Sequence, residues 1–268
     1  MSTAAYTALK YLEGECFQVD DILVVEEALK ITINNTPFTV TMCTPGSENE
    51  LVRGLLLSEN VYSDIVIDPI TTIQETNTSG FVTSINVTIP IDKIGKGFEI
   101  ARSIISVSSC GICGKSELDT LPENADKLMD NVTLDPGSVT RMFEQMSAAQ
   151  NTFRQSGGSH AAAAFTMEEE LLTIQEDIGR HNAVDKVIGS LLLQRQLSRA
   201  KVLVVSGRIS YEIVNKCFAA GIPFLAAVSA PSSLAVDLAE RLGITLMAFC
   251  REDKFTTYSG VERLRKVQ

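Results

Sequence analysis

Short apolar strands alternate with helices between residues 182 and 249, which predicts a three-layer α/β/α domain, and the strand-rich first hundred residues predict a small α+β domain ahead of it. Three observations carry this reading. Residues 201–206 (KVLVVS), 224–229 (FLAAVS) and 244–249 (ITLMAF) are nearly unbroken apolar runs, as strands covered on both faces should be. Helical spacing fills the intervals between them, at 211–220 and 233–242. By contrast, 81–89 (FVTSINVTI) alternates strictly, as a strand with one buried face does. The division is placed after a paired-cysteine segment, giving domains 1–115 and 116–268.

In order, 22–25 and 29–33 read as strands, and Asn34-Asn35 supplies turn chemistry before a strand at 38–42. Thr44-Pro45-Gly46-Ser47 breaks the chain, and a helix over 49–59 follows with Leu51, Leu55 and Leu56 on one face. After 81–89, a strand at 104–107 leads into the cysteines, and 119–136 is a polar, proline-punctuated connector. Asp135-Pro136 then starts a helix with Val139, Met142, Phe143, Met146 and Phe153 on one face, ended by Gly157-Gly158. A hairpin, 161–165 with 171–175, turns on the acidic tip 167–170. The helix from about 182 buries Val184, Val187, Ile188, Leu191 and Leu192, and Gly221-Ile222-Pro223 and Gly243 end later helices.

Composition narrows the function. With 45% hydrophobic and 21% charged residues in 268, the chain is an ordinary globular protein with a sizeable core. No apolar run nears the ~18–20 residues that cross a bilayer, so no membrane association is expected. The start, MSTAAYTALKYLEGECF, lacks the basic region and apolar core of a signal peptide, so a cytoplasmic location is expected. A net charge of −10 argues against nucleic acid as a partner but permits a local basic pocket.

Two strand ends, 205–210 (VSGRIS) and 228–233 (VSAPSS), have the small and hydroxyl residues that let a ligand approach backbone amides; Ser206, Gly207 and Ser229 sit there, and Arg208 suits an anion. Either turn alone also reads as an ordinary capped helix start. The block 175–186 (QEDIGRHNAVDK) shifts the balance. It gathers Glu176, Asp177, Arg180, His181, Asn182, Asp185 and Lys186 around one helix start, where a structural start needs a single cap. The second of the two histidines, His160, lies in SGGSH (156–160). Both histidines in glycine-flanked loops point to a pocket.

Six cysteines are too few for a disulfide scaffold. Cys16, Cys43, Cys217 and Cys250 read as small buried residues, whereas Cys110 and Cys113 form a C-x-x-C pair in VSSCGICGK (107–115). A structural zinc site wants four ligands and only one knuckle exists; the H-x-E and P-C-x-x-C elements of a zinc deaminase are missing, so no metal site is expected. A redox dithiol is open, although the pair does not open a helix in a thioredoxin-like setting. Glycines after each cysteine suit an exposed loop that receives and passes on a sulfur, with Lys115 or a pocket arginine favouring the thiolate.

Here the residues resemble a known family, the formate dehydrogenase accessory sulfurtransferases (FdhD/NarQ). The similar stretches are 108–115 (SSCGICGK), 156–161 (SGGSHA), 176–186 (EDIGRHNAVDK), 206–208 (SGR) and 228–231 (VSAP), in order over most of the chain. The 176–186 block is the specific one; C-x-x-C alone is weak. The resemblance implies a sulfurtransferase that takes persulfide sulfur from a cysteine desulfurase and passes it to the molybdenum cofactor before insertion into formate dehydrogenase. Cys110 would carry the persulfide and Cys113 would assist or resolve. The bound cofactor would be Mo-bis(molybdopterin guanine dinucleotide), with no metal held by the protein directly, and the family's cofactor stretch aligns with Phe249, Cys250, Arg251, Glu252, Asp253 and Lys254, just after the final strand. With Arg180, His181, Arg208, Ser206, Gly207, Ser229 and His160, these are the expected cofactor-binding residues. The resemblance further implies a homodimer and a second domain like the cytidine deaminase fold without its zinc site. Gln175 and Cys43 stand where arginine is more usual, and serines replace threonines around Gly157-Gly158. The rival readings are a thiol–disulfide oxidoreductase, in which both cysteines cycle equally, and a cofactor-binding chaperone indifferent to Cys110.

Overall fold

A computed structural model of the chain describes residues 2–103, 126–129 and 132–265. The segment 104–107 and both Cys110 and Cys113 lie outside the described residues.

The chain begins as a two-stranded antiparallel ribbon, β1 (Thr3–Leu12) and β2 (Glu15–Val24), turned by Glu13 and Gly14, both with positive φ. A four-stranded sheet follows, built from β3 (Glu27–Ile33), β4 (Thr36–Cys43), β5 (Ile70–Thr76) and β6 (Val82–Thr88) in the order β4-β3-β6-β5. Asn34 and Asn35, at φ 50° and 62°, make the tight β3–β4 turn that their side chains tolerate. Leu29, Ile31 and Ile33 alternate inward from β3 and meet α1 (Glu48–Ser58) through Leu51, Val52 and Leu56, while α2 (Lys96–Ser103) adds Phe98.

The second half contains α3 (Pro136–Ala149), α4 (Asn151–Ser156), β7 (His160–Phe165), β8 (Leu171–Asp177), α5 (Arg180–Leu193), β9 (Val202–Val205), α6 (Tyr211–Ala219), β10 (Phe224–Ala227), α7 (Ser233–Leu242), β11 (Thr245–Arg251) and β12 (Lys254–Ser259). Its sheet runs β12-β11-β10-β9-β7-β8, with β9, β10 and β11 parallel and the outer strands antiparallel. The parallel centre is as the apolar runs predict; the antiparallel flanks were not readable from them. Leu203, Leu225 and Leu246 face α5, α6 and α7 on one side. Val204, Phe224 and Met247 face Val139, Met142 and Met146 of α3 on the other. Helix, sheet and helix thus form the predicted three layers.

The two halves meet helix on helix, α1 against α5. A Cβ on Gly54 would stand 1.9 Å from the Asp185 carbonyl oxygen, and one on Gly189 would stand 1.8 Å from that of Glu50. Glycine on each helix lets the other backbone approach, and Leu57 of α1 reaches into the core beneath α5.

Three sequence expectations change. Phe153 does not share the α3 face: Gln150, at ψ 81°, leaves the helical region, the phase resets in α4, and Phe153 is exposed. Cys16 is exposed on the ribbon, whereas Cys43, Cys217 and Cys250 are buried as expected. The stretch 249–254 is not beyond the last strand but makes the turn from β11 to β12.

Candidate functional site

The carboxyl ends of β9 and β10, with the start of β7, form one edge of the large sheet, where a parallel sheet offers helix N-termini to a ligand. Ser206 and Gly207 follow β9. The Ser206 hydroxyl accepts the Ala161 N–H at 2.9 Å, tying the turn to β7. A Cβ on Gly207 would lie 3.4 Å, an ordinary contact distance, both from the Arg180 side chain and from His160 Nδ1, so these two groups border the turn after β9. Arg180 and His181 are the first residues of α5, whose start has no side-chain cap. His160 is half-buried, and its pKa is pushed below the ordinary imidazole value by burial first, then by the positive charges of Arg180, His181 and Arg208. The Arg180 Nε is buried with no hydrogen-bond partner among the described residues. Repelled cations and an unpartnered guanidinium nitrogen describe a site arranged for an anion.

His181 is oriented from the next helix. The Ser210 hydroxyl donates to Glu212 Oε2 at 2.7 Å, which leaves its oxygen to accept from His181 Nε2 at 3.1 Å. Burial raises the Glu212 pKa, but the hydrogen bonds from His181 and Ser210 outweigh it and hold it down at about 2. Ser210 and Glu212 were not anticipated, because their relation to His181 exists only once α5 and α6 are side by side.

The other polar residues of 175–186 do different work. Asp177, fully buried, pairs with Lys186 at 2.8 Å and accepts the Thr44 N–H at 3.0 Å and the Gly179 N–H at 2.8 Å. Lys186 also donates to the Thr44 carbonyl at 2.7 Å, and the Asn182 amide to that of Met42 at 2.7 Å. Asp185 is held by both Lys216, at 2.8 Å, and the Ser58 hydroxyl, at 2.8 Å. Glu176 accepts from the N–H groups of Thr152 and Phe153, each at 2.8 Å, and from the Ser159 hydroxyl at 2.8 Å, fixing the loop before His160. Four of the seven polar residues in the block therefore seat α5 against the first half and Glu176 fixes the loop before His160, which leaves Arg180 and His181 toward the strand ends.

On the α3 side of the same strand ends lies a cavity of about 570 Å³, within the ~300–1,000 Å³ usual for small-molecule sites. Ser206 is on its wall, so it joins the cationic cluster there. Of the 249–254 stretch, Cys250, Arg251, Glu252 and Lys254 line it, while Phe249 and Asp253 do not. Phe249 instead donates its N–H to the Ser229 carbonyl at 3.3 Å, linking the ends of β11 and β10. The Cys250 thiol is pushed up to about 12 by burial, so it is a packing group and not a nucleophile. The facing wall is α3, through Thr140, Phe143, Glu144 and Ser147, with Thr140 donating to the Glu252 carbonyl at 3.0 Å.

With this geometry in view, the comparisons with known proteins place the chain. A sequence model of the FdhD/NarQ family matches residues 24–265. The chain belongs to the FdhD/NarQ family. It is similar to the sulfur carrier protein FdhD of Streptomyces avermitilis, 42% identical over 269 residues and covering 96% of this chain and 93% of that one. The sulfur carrier protein FdhD of Sulfolobus acidocaldarius is 37% identical over 256 residues, covering 95% and 96%. A crystal structure from Desulfotalea psychrophila, assigned to the formate dehydrogenase accessory proteins, superimposes with a TM-score of 0.75 over 99% of this chain and 100% of that one; at 23% identity it shows a shared fold.

Within the FdhD/NarQ chain, the cavity wall on α3 escaped the sequence reading. The sequence places Phe143 on the apolar face with 139, 142 and 146, whereas residues 140, 144 and 147 follow a polar stripe beside it that resembles a solvated face. Among the described residues no three His, Cys, Asp or Glu side chains gather as a metal site would require. No helix among them is long and apolar enough to cross a membrane.

Proposed function

We propose that this chain is a sulfur carrier serving formate dehydrogenase, and that the cationic cluster and adjoining cavity hold the phosphates and a nucleoside of the molybdenum cofactor to which the sulfur is passed. The observation that carries the proposal is the match, over nearly the full length of both chains, to relatives named sulfur carrier protein FdhD. The site supports it: Arg180, Arg208, His160 and His181 suit phosphate oxygens and stand beside the turn at Gly207. Mo-bis(molybdopterin guanine dinucleotide), held there by Arg180, Arg208, His160 and His181, would supply the metal centre for the carried sulfur.

The Cys110 thiolate attacks the terminal sulfur of a persulfide on a cysteine desulfurase; the new S–S bond forms on Cys110 and the desulfurase thiolate leaves, so this exchange is redox-neutral. Releasing that sulfur as sulfide takes two electrons. The Cys113 thiol provides them by bonding to Cys110, and the resulting disulfide must be reduced by a thiol before another round. The enzyme is thus a sulfurtransferase acting through a persulfide, in the cytoplasm and as a homodimer. Intact mass after incubation with a cysteine desulfurase and cysteine tests it. Wild type should gain the mass of one sulfur, lost again on treatment with a reducing thiol, and Cys110→Ala should gain none. Equal loading of Cys110→Ala, or no added sulfur in Cys113→Ala, where the carried sulfur cannot be displaced, would refute the carrier role.

A further inference from the structure

Between Tyr62 and β5 the chain presents three aliphatic side chains in a row, Ile65, Val66 and Ile67, on a loop that is pinned at both ends. Asp64 Oδ1 accepts the N–H groups of Val66 and Ile67, each at 2.9 Å, and its Oδ2 takes the Lys93 ammonium at 2.5 Å. Asp68 is shared by two arginines, Arg53 of α1 at 3.1 Å and Arg195, just past α5, at 2.7 Å. Arg53 is 2% exposed, lies over the Tyr62 ring at 5.4 Å and also donates to the Asp64 carbonyl. Ile70 opens β5, and the Lys93–Asp64 pair brings Ile91 alongside. These five aliphatic side chains are 54–85% exposed. Single exposed aliphatic residues need no explanation. Five gathered on a segment held by ion pairs form a preorganised contact surface, because little ordering remains to be done on binding.

The surroundings narrow what covers it. A lipid surface does not fit: the five carry no aromatic ring, the chain has no tryptophan, and its net charge is −10. Five aliphatic side chains fall short of the roughly 1,000 Å² or more per subunit that obligate homodimers bury, and suit a transient contact with another protein. Position identifies that protein. The loop packs against the start of α2: Gly95 donates its N–H to the Val61 carbonyl at 2.8 Å, and a Cβ on Gly97 would stand 1.8 Å from the Glu59 carbonyl oxygen. Ser103, the last residue of α2, precedes Cys110 by seven residues, which span at most about 25 Å. Arg195 lies past the C-terminal end of α5, whereas Arg180 opens that helix, and its 14 residues separate the two ends by roughly 21 Å. A protein on the loop therefore stands beside the helix that leads to Cys110 and away from the anion site. We propose that Ile65, Val66, Ile67, Ile70 and Ile91 dock the protein that brings the persulfide, the cysteine desulfurase of the carrier reading on which this inference rests. An acceptor enzyme, which must meet the cofactor, has its contact at the strand ends instead.

Intact mass tests this by following Cys110 loading against desulfurase concentration and, in parallel, with glutathione persulfide, which needs no docking. Val66→Asp should raise the desulfurase concentration for half-maximal loading by about tenfold or more, with the maximal extent of loading, and loading by glutathione persulfide, as in wild type. The Val66 side chain is 71% exposed, so the variant should keep the wild-type melting temperature. Ile91→Asp, on a separate segment, should act the same way, so that a folding defect in one variant does not decide the matter. Unchanged half-maximal concentrations in both variants overturn the docking surface and leave the carrier reading intact. An equal loss with both sulfur sources places the effect at Cys110 and overturns it too. So does dissociation into monomers, seen by light scattering, with desulfurase loading unaltered, which would make this a surface between copies of the chain. No loading of wild type from either source refutes the carrier reading and this inference with it.

Discussion

Two sets of charged groups emerge from one stretch of sequence, and they are built on opposite terms. At the joint between the halves, Asp177 meets Lys186 and Asp185 meets Lys216, each pair buried and surrounded by further hydrogen bonds from Thr44, Asn182 and Ser58. At the strand ends a few residues away, the positive charges of Arg180, His181 and Arg208 act on His160, and Arg180 Nε has no hydrogen-bond partner among the described residues. The first arrangement is complete without a ligand. The second leaves a buried guanidinium nitrogen unpartnered among the described residues. Polarity alone does not distinguish structure from site; pairing does.

The largest expected effect comes from breaking the complete set. Lys186→Met removes a cation that is 2% exposed and leaves the Asp177 carboxylate buried among neutral donors. Removing one member of a buried pair costs about 3–5 kcal/mol, and chemical denaturation should show a loss of this size. Asp177→Asn in the same chain should restore part of it, since no charge is then stranded. If Lys186→Met unfolds at the wild-type denaturant concentration, the joint is not what holds α5 on the first half.

Arg180→Ala sharpens the comparison from the other side. Its Nε gains nothing from the protein, so unliganded stability should change by less than about 0.5 kcal/mol, as for substitutions away from networks. Nucleotide diphosphate affinity should fall by about tenfold to a hundredfold, with loss of the rise in melting temperature that the ligand confers on wild type. A stability loss comparable to that of Lys186→Met, with affinity retained, would make Arg180 another member of the joint.

The same contrast explains what the sequence made legible. Strands β9, β10 and β11 were readable because burial on both faces demands continuous apolar side chains, and their helices end at Gly221 and Gly243, both with positive φ. The ribbon and β5 were not. β1 exposes Tyr6, Leu9, Tyr11 and Leu12, and β5 exposes Ile70 and Ile73, so neither carries the inward–outward alternation that reports a core. Arg180, His181 and His160 stand out in the sequence by type and position, and the structure brings them together at the strand ends, yet most of the polar residues crowded at 176–186 pair within the protein. Pairing partners such as Thr44, Ser58 and Lys216 are 130 residues or so away in the chain or on another helix, and no local pattern points to them.

The smallest effect expected is a proton. His160 has its pKa below the ordinary value of 6.5 through burial and the neighbouring cations, while in the unfolded chain it titrates normally. Between those two values the unfolded state binds more protons, so this group's contribution to stability is full above pH ~6.5 and is lost as pH falls toward the folded pKa. A polyanion reverses the sign locally: by neutralising Arg180 and Arg208 it removes the repulsion and favours imidazolium. Nucleotide diphosphate binding should therefore take up protons below about pH 7, and affinity should rise as pH falls through that range. Calorimetric titrations in buffers of different ionisation enthalpy measure the uptake, and His160→Gln should reduce it. Proton uptake unaltered in that variant would assign it to another group, and proton release on binding would mean that the anion does not sit against these cations.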